Sequence, residues 1–375
     1  MKNLLLFGTT NYGPTLNSSD KLKFQELSKN FKTYVITFGD ENKYIDHNIV
    51  GIKYMKKPKI LFFQYFKFYF INLIAVKNFC LEKNIDIISS KDPISAFIPT
   101  LIKTIFIKDI KIVIEHHGDF LNLLLNQRRF KNNFLIKFLA NFLSNFTYKK
   151  CDLIRGVEEN YTLNLAKKYS KKYITFPAWV DYSNYKIQNL NRKNLVYVGN
   201  IIPRKGVDFL IRSFHEFAQE NNFKEKLLII GDNQNTKYFN ECQKIIKDKN
   251  IENIEFIGKK SPEELSLIYS SSKLLVMASN FEGLPRVLIE SGLCATPSLA
   301  TNIQGINDPF GKYGGTILYE LNNITDFQQK LKNFLENENL QKDLQEKSYK
   351  LSKNLSGKGS FLNNWIKVEK IIYEK

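Results

Sequence analysis

Ten short apolar runs, most of them followed by a stretch of helical length, divide the 375-residue chain into two series. The first is Leu4–Phe7, Tyr34–Phe38, Ile85–Ser89, Ile112–Glu115 and Leu153–Val157; the second is Asn194–Val198, Lys226–Ile230, Ile254–Ile257, Leu274–Met277 and Pro297–Ala300. Short runs separated by amphipathic helical stretches read as βα units around parallel sheets, where each helix carries the chain back to the edge at which the next strand begins. The pattern restarts beyond Pro177–Asn191, where Pro177-Ala178-Trp179-Val180-Asp181 and an Asn-rich polar stretch interrupt it. This length also exceeds what one hydrophobic core organises. The expected class is therefore α/β, with two Rossmann-like domains and a cleft between them. Residues 1–180 form the first, 181–358 the second, and 359–375 a terminal helix, near Phe361–Tyr373, that is a candidate to pack back on the first domain.

Composition excludes several alternatives. An apolar share of 43% with 25% charged residues belongs to a folded chain rather than a disordered or collagen-like one. Cys80, Cys151, Cys242 and Cys294 are widely separated and form no C-x-x-C pair, so neither a zinc ribbon nor a disulfide framework is indicated, and a reducing, cytoplasmic setting is expected. Leu4–Phe7 stops at Gly8-Thr9-Thr10, too short for a signal-peptide core and suited to a first strand. No Asp-x-Asp and no His/Cys cluster of ligand spacing occurs, so no metal or other cofactor is expected.

The net charge is +18, and its distribution is uneven: through Tyr185 there are 28 Lys and Arg against 15 Asp and Glu. Such asymmetry fits an anionic partner, a membrane face or a nucleic acid, or simply a solvated lysine-rich surface. Lys56–Phe79 is aromatic-rich but is broken by Gln64, Lys67 and Asn72, which favours a core helix over a membrane span. From Arg128-Arg129-Phe130-Lys131 to Lys149-Lys150, residues Phe134, Phe138, Phe142 and Phe146 recur every fourth position beside Lys137. That stripe reads either as an interfacial amphipathic helix or as a core-facing one.

Two segments carry chemistry. In Asn280-Phe281-Glu282-Gly283-Leu284-Pro285-Arg286-Val287-Leu288-Ile289-Glu290, a loop follows a strand and enters a helix, with Pro285 suited to the first turn. Free amides at such a terminus attract polar oxygens, and Gly283 permits close approach. Glu282 at the mouth and Glu290 about two turns in can accept hydrogen bonds from separate hydroxyl sets; the alternatives are a capping Glu282 and a solvated Glu290. In Val198-Gly199-Asn200-Ile201-Ile202-Pro203-Arg204-Lys205-Gly206-Val207 a strand ends at glycine, and Arg204 and Lys205 stand where a helix opens. Arg grips phosphate oxygens bidentately and Lys adds a compact charge, a combination suited to a diphosphate.

Together these residues resemble glycosyltransferase family 4, retaining enzymes of the GT-B fold used in bacterial polysaccharide, lipopolysaccharide and glycan assembly. The resemblance covers most of the chain and is strongest from Leu195 to Asp308. Its core is the Glu-x7-Glu spacing of Glu282 and Glu290, followed by Cys294-Ala295-Thr296-Pro297 and Ala300-Thr301-Asn302-Ile303-Gln304-Gly305. It implies that Glu282 and the Gly283, Leu284 and Pro285 amides hold a donor sugar, Glu290 the ribose, and Arg204 with Lys205 the diphosphate. Backbone at Ile257 and Lys259 would face the base. His117, before Gly118, would reach the donor sugar, with His116 as a rival, and Asn11-Tyr12-Gly13-Pro14 would place Gly13 near the phosphates and acceptor. Asn200 stands where the family often has arginine, Ala295 where it has glycine, Glu158 where it has serine and Trp179 where its linker has glycine. The implied activity is metal-independent, retaining transfer of a hexose or N-acetylhexosamine from a nucleotide-sugar, with UDP-sugars preferred. The acceptor would be a lipid-linked or polysaccharide one at the inner face of the cytoplasmic membrane. A basic nucleic-acid-binding protein and a GT-B sugar-nucleotide epimerase are the competing readings, although no zinc finger or recognition helix marks the former.

Overall fold

The computed structural model describes residues 1–56, 72–116 and 134–374. They form two units, Met1–Trp179 with Phe361–Lys375, and Val180–Ser360.

The first unit is built on eight strands: β1 (Lys2–Phe7), β2 (Phe31–Gly39), β3 (Lys43–Asp46), β4 (Gly51–Lys56), β5 (Ile87–Ser90), β6 (Lys111–His116), β7 (Leu153–Gly156) and β8 (Lys172–Thr175). Their order across the sheet is β3-β4-β2-β1-β5-β6-β7-β8, with β3 antiparallel to β4 and every other pairing parallel. Helices α1 (Ser18–Leu27), α2 (Leu73–Glu82), α3 (Phe97–Ile105), α4 (Phe134–Lys150) and α5 (Glu159–Tyr169) connect them. The central strands β5 and β7 are buried at every position, as a sheet covered on both faces demands. Strands β3, β4 and β8 were not among the ten runs. The outer pair, β3 and β8, explain why: each carries exposed charge, which blunts a sheet edge and hides the hydrophobic signal. Of the aromatic-rich Lys56–Phe79 segment, 57–71 lies outside the described residues, and the remainder enters β4 and α2, where Val76, Phe79 and Cys80 join the core.

The second unit contains β9 (Asn194–Val198), β10 (Leu227–Ile230), β11 (Ile254–Gly258), β12 (Ser272–Met277), β13 (Ser298–Thr301) and β14 (Thr316–Tyr319). All are parallel, in the order β11-β10-β9-β12-β13-β14. Helices α6 (Val207–Glu220), α7 (Thr236–Asp248), α8 (Pro262–Ser271), α9 (Arg286–Leu293), α10 (Ile324–Glu336) and α11 (Glu338–Ser356) pack around it. Local chemistry sets their starts. Ser261 and Glu264 form a reciprocal capping box on α8, and Asn235, Asn323 and Asn337 each accept a first-turn N–H of α7, α10 and α11.

The chain then returns to the first unit as α12 (Ser360–Tyr373), whose Leu362, Trp365, Val368 and Ile372 share a core with Leu4, Phe24, Phe31 and Phe176. Both units are thus open, twisted α/β sheets with helices on their faces, the Rossmann-like architecture.

Candidate active site

In the second sheet the chain moves outward from β9 to β10 and β11, then crosses to β12 and proceeds to β13 and β14. Strands β9 and β12 are neighbours whose connections leave in opposite directions, and the crevice at the carboxyl ends of such a pair is where open α/β sheets bind ligands. Both chemical segments emerge there. The 199–206 turn follows β9 and the 278–285 loop follows β12.

The two segments are bound to each other. The Asn280 N–H donates to the Arg204 carbonyl at 2.9 Å, and the Arg204 guanidinium donates to the Phe281 carbonyl. The Lys205 ammonium pairs with the Glu282 carboxylate, whose second oxygen lies 3.4 Å from Arg204 Nη1. Only 13% of the Lys205 side chain and 8% of the Glu282 side chain is exposed, whereas Arg204 is 38% exposed. Two cations share one carboxylate, so the cluster keeps a net positive charge at a half-open position. Glu282 does not cap α9. The residue before that helix is Pro285, extended at φ −72° and ψ 116°, and no side chain caps the helix among the described residues. The helix therefore begins one residue later than the sequence implies, at Arg286.

Glycines set the spacing. Pro203–Lys205 is a single 3₁₀ turn, ended by Gly206 at φ +61°, and α6 starts only at Val207. The cations thus stand in the turn that leads into the helix, where the sequence reading has them. A β-carbon on Gly206 would lie 2.2 Å from the Ala278 carbonyl oxygen. From the turn after β13, Gly305 at φ +88° backs the 282–283 peptide so closely that a β-carbon would lie 2.4 Å and 2.3 Å from the carbonyl oxygens of Glu282 and Gly283. The Thr301 hydroxyl donates to the Ser279 carbonyl at 2.7 Å.

Glu290 lies within α9 and is buried rather than solvated. It faces Tyr269 Oη at 3.5 Å and Arg286 Nη2 at 3.5 Å, with Tyr185 also close to it. Burial raises its carboxyl above the ordinary glutamate range, an effect that Arg286 and the two tyrosines only partly oppose. Burial first, and Glu290 second, raise the Tyr269 and Tyr185 phenols as well.

Asn200 is exposed at the end of β9, and its amide donates to Gln234 at 3.0 Å. Ile257 and Lys259 flank Gly258 at the end of the outermost strand, with β10 between them and β9. Ile257 packs into the core and Lys259 is exposed, so neither joins the Lys205–Glu282 cluster directly. Gly283 and Leu284 are half-buried, and Pro285 is buried beside them. In the first unit Gly13 is exposed, its carbonyl accepting from the Tyr54 hydroxyl at 2.8 Å. His116 is buried, its ring stacked on Tyr148 with Nε2 2.6 Å from the phenol oxygen. His117, Gly118 and Arg128–Lys131 lie outside the described residues.

The sequence reading missed the partners of these groups. Tyr185 and Tyr269 enclose Glu290 from residues 105 and 21 positions away, and no local pattern links them. Gly206 and Gly305 were visible as residues, but the carbonyls they admit were not. Among the described residues, no group of three or more His, Cys, Asp or Glu side chains has a geometry that could hold a metal ion, and no helix is long and apolar enough to cross a membrane.

Comparison with known proteins matches residues 183–351 to the family of glycosyl transferases group 1. An uncharacterized glycosyltransferase of Methanocaldococcus jannaschii is 32% identical over 162 residues, a match that spans 43% of this chain and 43% of that relative. The chain thus matches less than half the length of that curated relative. Among solved structures, sucrose-phosphate synthase from Thermosynechococcus elongatus superposes with a TM-score of 0.77 at 13% identity, covering all of both chains. Anabaena HepE, in complex with UDP and glucose, superposes with a TM-score of 0.71 at 13% identity, over 98% of this chain and 99% of that one. These likenesses establish the GT-B fold: α/β, with two parallel-sheet Rossmann-like domains.

Proposed function

We propose that this chain is a retaining, metal-independent glycosyltransferase. It moves a hexose or N-acetylhexosamine from a UDP-sugar to a lipid-linked or polysaccharide acceptor at the cytoplasmic membrane face. The observation that carries the reading is the Arg204–Lys205–Glu282 cluster at the switch point of the second sheet. The family match over the same unit supports it. HepE's complex with UDP and glucose supports the choice of donor class.

The cluster's chemistry follows from its charge. A diphosphate entering the crevice meets two cations already held by one carboxylate, so no further desolvation of a free lysine is needed and the excess positive charge is neutralised. Fixed cations then take the part that a divalent ion plays elsewhere. Glu282, held by Lys205, accepts from sugar hydroxyls, the Gly283 and Leu284 N–H groups donate to sugar oxygens, Pro285, which lacks an N–H, shapes the turn beside them, and Glu290 accepts from the ribose hydroxyls. Asn200 and the Ile257–Lys259 backbone bound the nucleotide. In the transfer, the bond between the anomeric carbon and the diphosphate oxygen breaks. The acceptor hydroxyl oxygen bonds to that carbon on the same face, and its proton passes to the departing phosphate oxygen. Arg204 and Lys205 stabilise the charge that develops on the leaving UDP.

The test is donor turnover with UDP-sugars in the presence of a chelator. Wild-type protein should remain fully active, and Glu282→Ala and Lys205→Ala should each lower kcat by about 100-fold or more while retaining the native circular dichroism spectrum. Activity abolished by chelation would overturn the metal-independent mechanism, and wild-type rates in both variants would remove the cluster from the chemistry.

A further inference from the structure

Helix α4 (Phe134–Lys150) has two unlike faces. Ala140, Leu143, Ser144, Thr147 and Tyr148 are buried in the first unit, and Phe146 packs against Phe97 of α3 at a centroid distance of 5.7 Å. The opposite face carries Phe134, Phe138 and Phe142, which are 82%, 61% and 58% exposed, with Leu139 beside them at 47%. Successive phenylalanines four residues apart lie on consecutive turns, so their rings form one stripe. At about 200 Å2 per ring, the stripe exposes on the order of 400 Å2 of aromatic surface. Surface of that extent marks an interaction site on a folded chain rather than scattered exposure.

The charge on the helix selects the occupant. Lys137 lies within the helix and Lys149 and Lys150 end it, and no acidic residue occurs from Phe134 to Lys150. The half of the chain that contains it carries most of the net positive charge. A nucleic acid would satisfy the lysines but offers no apolar medium for three adjacent rings. A bilayer with anionic headgroups satisfies both, because rings enter the acyl boundary while ammonium groups remain among phosphates.

We infer that the exposed face of α4 docks this chain on an anionic lipid bilayer, with Phe134, Phe138 and Phe142 inserted and Lys149 and Lys150 held at the headgroups. The inference deepens the proposed transfer at a membrane face and rests on that reading for its purpose. The contact is peripheral and reversible, since the inserted surface is limited to a few side chains.

Vesicle flotation of the whole chain tests it, with phosphatidylcholine vesicles prepared with and without phosphatidylglycerol. Wild-type protein should float with the anionic vesicles, weakly or not at all with the neutral ones, and less as salt rises. Phe138→Ser with Phe142→Ser, and separately Lys149→Glu with Lys150→Glu, should each weaken binding about tenfold or more. Thermal stabilisation by the UDP-sugar should be unchanged in both, because these side chains lie outside the donor cluster and project from the fold. Absence of wild-type flotation, or equal flotation of the phenylalanine variant, overturns the docking inference. So does a wild-type dimer in sedimentation that this variant abolishes, which would assign the stripe to a second copy. Donor stabilisation that persists without vesicle binding fails this inference alone, and vesicle binding without donor stabilisation fails the transferase reading alone.

Discussion

Glu290 shows how a residue proposed to bind ligand can at the same time weaken the fold. Its carboxylate lies beside Tyr185 and Tyr269, and Arg286 at 3.5 Å is the cation paired with it. Because burial raises its pKa in the folded state, the native protein holds this proton to higher pH than the unfolded chain does. Stability is therefore lost as pH rises from the ordinary glutamate pKa through the raised folded one, by about 1.4 kcal/mol for each pH unit inside that window. Glu290→Gln should melt at a higher temperature than wild type above the window and nearly match it below, while binding the UDP-sugar less tightly. Thermal melts of both proteins across mildly acidic to neutral pH decide this, and parallel melting curves at every pH would show that the carboxyl is not stressed. The same residue thus carries the expected ribose contact and a stability cost, as groups placed for function often do.

At the scale of elements, the crevice between β9 and β12 depends on backbone approach more than on side-chain identity. Gly206 lets the turn after β9 lie against the carbonyl at the end of β12, and Gly305 lets the turn after β13 support the peptide of Glu282. Both adopt left-handed conformations in which a β-carbon is strained even where space exists, and here space is lacking as well. Gly305→Ala should destabilise the second unit by about 1–3 kcal/mol and lower turnover more than tenfold by displacing Glu282. Denaturant titration alongside steady-state kinetics checks both effects, and a variant with wild-type kcat would show that the loop tolerates the shift. Helix α4 illustrates the opposite limit. Its sequence has the period of a core helix, yet three of its four phenylalanines are exposed, because the other face alone is buried in the first unit.

On the scale of the whole molecule, the chain does not divide into two consecutive halves. Helix α12 follows the second unit but belongs to the core of the first, where Trp365 is almost wholly buried against Phe176 and Phe361. Deleting that ring leaves a cavity that neighbouring strands cannot collapse into, so Trp365→Ala should cost about 3–5 kcal/mol, borne by the first unit. Denaturant unfolding read by probes in each unit is expected to show the first-unit transition shifted to lower denaturant and the second unchanged. A shift confined to the second unit would contradict the assignment of the helix. A buried polar pin also holds the first unit: Arg155 on β7 pairs with Glu115 on β6 at 2.8 Å and donates to the carbonyls of Phe176 and Pro177 where the chain leaves the sheet.

Periodicity alone determined the α/β class, the parallel sheets and their duplication, because strands buried on both faces must be short and apolar and their connections must be helical. Spacing also marked the segments around Lys205 and Glu282, since a strand, a glycine turn and a helix are local events. Other features were decided only by tertiary structure. Edge strands β3 and β8 carry charge that conceals them, and Arg155 became a buried cation only because Glu115 lies opposite it in the adjacent strand. Lys205 meets Glu282 across 77 residues, and Tyr185 meets Glu290 across 105. Those pairings follow from the order of strands in the sheet, which hydrophobic pattern constrains but does not specify, because any parallel neighbour would bury the same residues.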